Sequence, residues 1–346
     1  MMNELGKLRR GALLCCLVAL MAPVHAEEGD DVDQAREALQ QKESDVTEET
    51  NLEEVFQAAQ KQYSLLPSGK MSMNFGANYS YFRDNQIDID IDEDGLNRFL
   101  IENDAQHSFG ASLSFDYGIW NNLTFNTSLP VSYKYDTQKD ANNAALGDVS
   151  FGLRYQPFPV RTGAINTTLF GSLSTATGVS PYKIDTRTEL SSGKGYYSMT
   201  GGISMSQVID PVVLFGSLNY THAFDVTGVQ QRRGSRDLLA VDTGDSIGFS
   251  FGLAYALSYE VSLSASYQQS YNFVSTFTFY DSSDDRTYQE DSSDSTSSVV
   301  NMSLGLRTSS NRVVNFSFGF GLTEDSPDVL IGFNVPVDFA GFKPGA

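Results

Sequence analysis

Residues 87–95, "IDIDIDEDG", place Asp90, Asp92 and Asp94 two apart with Gly95 behind them, the residue types that open a calcium loop. The spacing fails further on. With Asp90 as first ligand, Ile101 falls where a bidentate Glu is required, and Glu102 comes one residue late. Ile87, Ile89 and Ile91 instead alternate with Asp88, Asp90 and Asp92, a strand's period of two, and Asp94-Gly95 is a hairpin-turn pair. The stretch reads as an acidic β-hairpin. Asp90, Asp92 and Asp94 are weak calcium candidates, and no other metal site is expected.

Other reactive groups are sparse. Of the 3 histidines, His25 lies near the N-terminus, which leaves His107 and His222 as the only bases for a His-dependent nucleophile. A lipid-modifying enzyme would need His222, but no catalytic motif surrounds it, and a place in an interfacial aromatic girdle is the better reading. Both cysteines, Cys15 and Cys16, sit in the N-terminal apolar run, so neither a disulfide nor a Cys nucleophile is expected beyond it. No catalytic residue and no cofactor is expected. A net charge of −20 opposes binding to phosphates, which excludes nucleic acid as a partner.

The elements that would carry these residues follow from patterning. Lys7, Arg9 and Arg10 precede "GALLCCLVALMAP", and Val24-His25-Ala26 offers a small-residue cleavage site, so residues 1–26 read as a signal peptide. Nothing later approaches the roughly 20 apolar residues of a spanning helix. The 29 Gly, 17 Tyr and 23 Phe suit many short strands. In "KMSMNFGANYSYF", Met71, Met73, Phe75, Ala77, Tyr79 and Tyr81 alternate with Ser72, Asn74, Gly76, Asn78 and Ser80.

Twelve such segments occur: 70–82, 107–117, 123–135, 147–156, 163–176, 196–207, 212–224, 244–256, 261–279, 297–307, 313–322 and 328–339. Short turns alternate with long acidic loops at 83–106, 136–146, 177–195, 225–243 and 280–296. A soluble sandwich would put charges on its polar face, whereas here that face is mainly Ser, Gly and Asn. The expected fold is all-β: a closed twelve-stranded antiparallel transmembrane β-barrel over 67–340, in the cell outer membrane and bounded by its lipid. A tail follows at 341–346. Expected inward charges are Asp116, Lys134, Arg154, Arg307 and Asp338, and Phe339 ends the last strand like an insertion signal.

Before the barrel, residues 27–50 form an acidic periplasmic segment. Val32, Leu39 and Val46 have the heptad spacing of a short coiled coil, although the intervening positions Ala35, Lys42 and Glu49 are poor. Residues 51–66 read as an amphipathic helix, with Asn51 as cap and Leu52, Val55, Phe56, Ala59 and Tyr63 on one stripe. At ~10 Å in diameter it fits the lumen of a mid-sized barrel as a plug, or it packs beneath the rim.

"ALGDVSFGLRYQPF" (145–158) resembles the Gly-Asp-Val strand signature of the barrel family associated with the meta-pathway of phenol degradation. "NLEEVFQAAQKQYSLLPSGK" running into "NYSYFRD" is similar to the helix-to-first-strand region of the Fap-type functional-amyloid secretion channel. The second resemblance implies a plugged barrel with Leu52, Val55, Phe56 and Tyr63 in the plug. It further implies homotrimers joined by an N-terminal coiled coil, and export of secreted amyloid subunits with periplasmic accessory proteins. The wider family's name implies the alternative of uptake of small apolar or aromatic compounds. A lipid-modifying enzyme and a non-conducting assembly anchor stand as further alternatives.

Overall fold

Apolar residues at every second position, separated by small polar ones, make strands whose two faces have opposite solvents. The computed structural model describes residues 65–91, 97–137, 140–160, 163–185, 188–233, 236–258, 260–282, 285–309 and 312–337. The expected leader, the acidic segment 27–50, the plug residues Leu52, Val55, Phe56, Ala59 and Tyr63, the carboxylates Asp92 and Asp94, and Asp338 and Phe339 lie outside the described residues.

The strands are β1 (Met71–Ile91), β2 (Asn97–Trp120), β3 (Leu123–Asp136), β4 (Ala141–Leu146), β5 (Ser150–Tyr155) and β6 (Asn166–Ser174). They continue as β7 (Ser198–Ile209), β8 (Val212–Ala223), β9 (Val226–Arg233), β10 (Arg236–Asp242), β11 (Ser246–Ala256) and β12 (Val261–Asn272). The last are β13 (Thr276–Asp281), β14 (Arg286–Asp291), β15 (Ser295–Ser309), β16 (Arg312–Gly321) and β17 (Val329–Val337). Among the described residues no helix is long and apolar enough to cross a membrane.

Antiparallel neighbours run β2-β1-β17-β16-β15-β12-β11-β8-β7-β6-β5-β3, and β2 also pairs with β3. β1 meets β17 along Met73–Tyr81, which closes the ring. The twelve-stranded barrel expected from the alternation is therefore present. Nine paired residues at about 3.4 Å each, tilted by about 40°, rise roughly 23 Å, close to the ~25 Å apolar band of an outer membrane. The register puts Phe75, Leu113, Leu129, Leu153, Leu169, Leu218, Leu253, Leu263, Phe316 and Ile331 on the outside, where each is exposed. An apolar surface of that extent requires lipid.

Several strand boundaries are corrected by the structure. The segment expected at 147–156 is one interrupted stave: β4 continues β5 upward, and both pair with β3 on either side of Gly147–Val149. The segment expected to run from 261 to 279 leaves the barrel after Asn272. Its last residues enter β13 of a second sheet, ordered β14-β13-β10-β9. The loops expected at 225–243 and 280–296 thus fold as hairpins above the barrel. The acidic loop at 83–106 is largely strand, with Ile87 opposite Ile101 and Asp90 opposite Arg98, in keeping with a hairpin.

Candidate functional site

The lumen is built from the strands' second faces. Along β12, β15, β16, β17, β1 and β2 it presents Ser264, Ser266, Gln268, Asn301, Ser303, Asn315, Ser317, Asn334, Asn78 and Ser112, which line a cavity of about 460 Å³. None of these residues carries a charge. Hydroxyls on adjacent strands satisfy one another, as with Ser264 and Ser303 at 2.5 Å, Ser217 and Ser250 at 2.7 Å, and Thr200 and Thr221 at 2.8 Å.

The opposite wall is filled. Asp116 on β2 and Arg154 on β5 form a buried ion pair, 8% and 7% exposed. Phe170 and Phe215 also face inward, which the period-two reading did not single out. The tip of each ring reaches over a glycine of a neighbouring strand. A Cβ on Gly252 would sit 2.6 Å from Phe215 Cζ, and one on Gly202 would meet the Phe170 ring. Val213 and Phe215 pack with Ala254 and Val208 at the periplasmic end, so the floor is apolar on that side.

The chain enters the barrel across this floor. Leu66 N donates to Thr124 Oγ1 at 2.9 Å, and Thr124 faces inward and is fully buried. Gly118 accepts from Gly69 N at 2.7 Å and donates to Lys70 O at 2.9 Å. Leu66 and Pro67 run directly over Gly118, leaving no room there for a Cβ. Leu66 to Lys70 therefore lie against the inner wall at Gly118 and Thr124, two residues along β2 from Asp116.

The mouth is narrowed by residues 175–185 and 188–197. Asp148, in the interruption of the β4–β5 stave, accepts from Gly178 N at 2.9 Å and Lys194 N at 2.6 Å. Thr177 Oγ1 donates to Gly147 O at 3.0 Å, and Ser192 Oγ to Leu146 O at 2.6 Å. Asn143, inward on β4, donates to Leu190 O, so the segment lies against the inner wall. Its far side is held by the second sheet. Gln231 donates to Pro181 O at 2.9 Å and to Ile184 O, and Tyr182 packs on the core of Val229, Leu238 and Val241.

Of the charges expected inward, the structure brings together Asp116 and Arg154. Lys134 faces the lumen at the outer end of β3, opposite Asn143, and Arg307 lies across the barrel on β15. No protein-family model matches the chain. Among solved structures, the COG4313 outer membrane channel from Pseudomonas putida F1 superposes with a TM-score of 0.57 at 11% identity, over 79% of this chain and 97% of that one. The chain is an outer-membrane β-barrel.

Two other structures are more distant and carry no weight. The translocator domain of autotransporter NalP from Neisseria meningitidis gives a TM-score of 0.43 at 12% identity, covering 82% of this chain and 93% of that one. A mutant of the TodX monoaromatic hydrocarbon channel gives 0.37 at 13%, covering 81% and 90%.

Both histidines of the barrel face outward at its outer rim. His107 lies among Tyr79, Tyr81 and Tyr135, with Tyr79 Oη 2.9 Å from its Nδ1. His222 Nδ1 is 2.8 Å from Asp245 Oδ1, and its ring meets the edge of Phe224. These contacts are those of an aromatic girdle.

Carboxylates crowd the neck of the second sheet. Asp225 raises the Asp242 carboxyl above its usual range, mainly through its charge, whereas a hydrogen bond from Tyr220 holds Asp245 below it. The signs differ. Asp242 contributes stability that is full below its ordinary value and lost as pH rises through its raised one, while Asp245 contributes above its ordinary value and loses this in stronger acid. Asp242→Asn is therefore expected to make the outer hairpins more resistant to limited proteolysis at neutral pH. The advantage should vanish near about pH 4, and equal digestion of both proteins at neutral pH would contradict the repulsion.

Proposed function

We propose that this barrel is a gated outer-membrane pore that passes unfolded polypeptide outward, the cargo being subunits of a functional amyloid, with residues 51–66 as its plug. The observation that supports the plug is the crossing of Leu66 and Pro67 over Gly118 with its bond to Thr124, which brings the chain to the inner wall at Leu66. The cargo class is supported by the cavity wall. Its hydroxyls and amides offer both donors and acceptors, as an unfolded backbone demands, and its lack of fixed charge avoids trapping a chain in transit. An uptake path for apolar compounds would draw its contacts instead from Phe170 and Phe215 on the opposite wall.

Deletion of residues 27–65 is expected to raise single-channel conductance in planar bilayers several-fold. Unchanged conductance would remove the plug. Cargo is tested in cells by following an amide-rich, uncharged subunit to the outside with and without the barrel; export that is equal in both would end the polypeptide reading.

A further inference from the structure

Residues 175–185 and 188–197 are held at both ends of the lobe by one side chain. Asp148 takes the backbone N–H groups of Gly178 and Lys194, 30 and 46 residues away in sequence. The two limbs pinch together there, so that a Cβ on Gly178 would lie 2.7 Å from Gly193 Cα. Beyond the pinch, the lobe covers a stretch of wall with the wrong chemistry for burial. The register sets Ser132 and Lys134 of β3 opposite Ala145 and Asn143 of β4, all four facing inward. Ser132 Oγ is buried without a hydrogen-bond partner. A permanently covered wall would be apolar or fully satisfied, whereas this one suits water.

We propose that residues 175–185 and 188–197 form an outer gate, latched by Asp148, whose opening uncovers the polar inner wall of β3 and β4. The gate goes beyond the N-terminal plug and does not depend on it, because it stands at the opposite end of the lumen and rests on different residues. It moves with the second sheet, which grips it through Gln231 and Tyr182. The carboxylate suits a latch. One acceptor group closes two backbone donors at once, so the lobe is released as a unit when that group is lost.

The test uses the full chain on intact cells, with Ser132→Cys as reporter and a membrane-impermeant methanethiosulfonate reagent added outside. A chain without the reporter sets the background. With Asp148 present, labelling is expected to be slow; Asp148→Ala should speed it at least tenfold, and Asp148→Asn, which keeps one acceptor oxygen, by less. Trypsin cleavage after Lys194 should accelerate in the same order. Fast labelling with Asp148 intact, or equal rates in all three, would overturn the gate, as would faster cleavage without faster labelling. Should Asp148→Ala fail to reach its folded, heat-modifiable form, Asn143→Ala removes the bond to Leu190 O and must give the same acceleration. The N-terminal segment is native in every arm, so failure of the plug and failure of the gate stay distinct.

Discussion

Gly118→Val is expected to open the pore at its periplasmic end. A Cβ at this position would lie 2.6 Å from Leu66 O and 2.8 Å from Pro67 C, and backbone cannot yield as a flexible side chain can. The crossing must lift from the wall, which breaks Leu66 N to Thr124 Oγ1 and the two backbone bonds that tie Gly118 to Gly69 and Lys70. Each bond is worth about 1 kcal/mol, so a loss of about 2–3 kcal/mol in stability accompanies the change. The decisive measurement is single-channel current. A several-fold rise is expected, approaching that of the chain lacking residues 27–65. A variant that melts earlier but conducts like the parent would leave the crossing a structural tie with no role in closure.

The second large effect concerns Asp116 and Arg154. Replacing either one alone, as in Asp116→Leu or Arg154→Met, leaves the other charge buried beside the floor and is expected to cost about 3–5 kcal/mol. The double variant Asp116→Leu with Arg154→Met removes both desolvation penalties and should recover most of that loss. Trp120, the one tryptophan of the chain, lies four residues beyond Asp116 on the same strand and reports unfolding in urea. Additive losses in the double variant would show that the two groups do not act as a pair.

Most of the barrel was legible because its strands obey one rule. Phe109, Ala111, Leu113, Phe115 and Tyr117 need lipid while Gly110, Ser112, Ser114 and Asp116 need the lumen, and that contrast recurs along the staves, broken inward mainly by Phe170, Val213 and Phe215. Where the contrast fades, so did the reading. β4, "ANNAAL", turns Asn142 and Ala144 outward near the rim and shows no apolar alternation. In β9 and β10 the period is broken by a positive φ at Gly228 and by the register shift between Leu238 and Ala240. Phe277 and Phe279 alternate correctly, but the same alternation serves the barrel and the second sheet alike, and the change of sheet after Asn272 leaves no trace in it.

The site was less legible than the fold. Asp116 and Arg154 stood out as charges on a polar face, yet their meeting depends on β3 lying between their strands. Asp148 belongs to the Gly-Asp-Val stretch that marked a strand, whereas its carboxylate holds backbone N–H groups, which any residue provides and no sequence pattern identifies. Thr124 is similarly silent: its value comes from Leu66 N arriving opposite it.

The second sheet constrains the order in which the protein matures. Its central seam, β10 against β13, joins hairpins carried by two different connections, one between β8 and β11 and the other between β12 and β15. The packing of Phe277 and Phe279 against Leu238 and Val241 exists only once the two hairpins meet. Contacts so distant along the chain form late. The seam thus ties two outer connections to one another, and the clamp on Tyr182 and Pro181 belongs to the first of them, through Gln231 and the core of Val229, Leu238 and Val241.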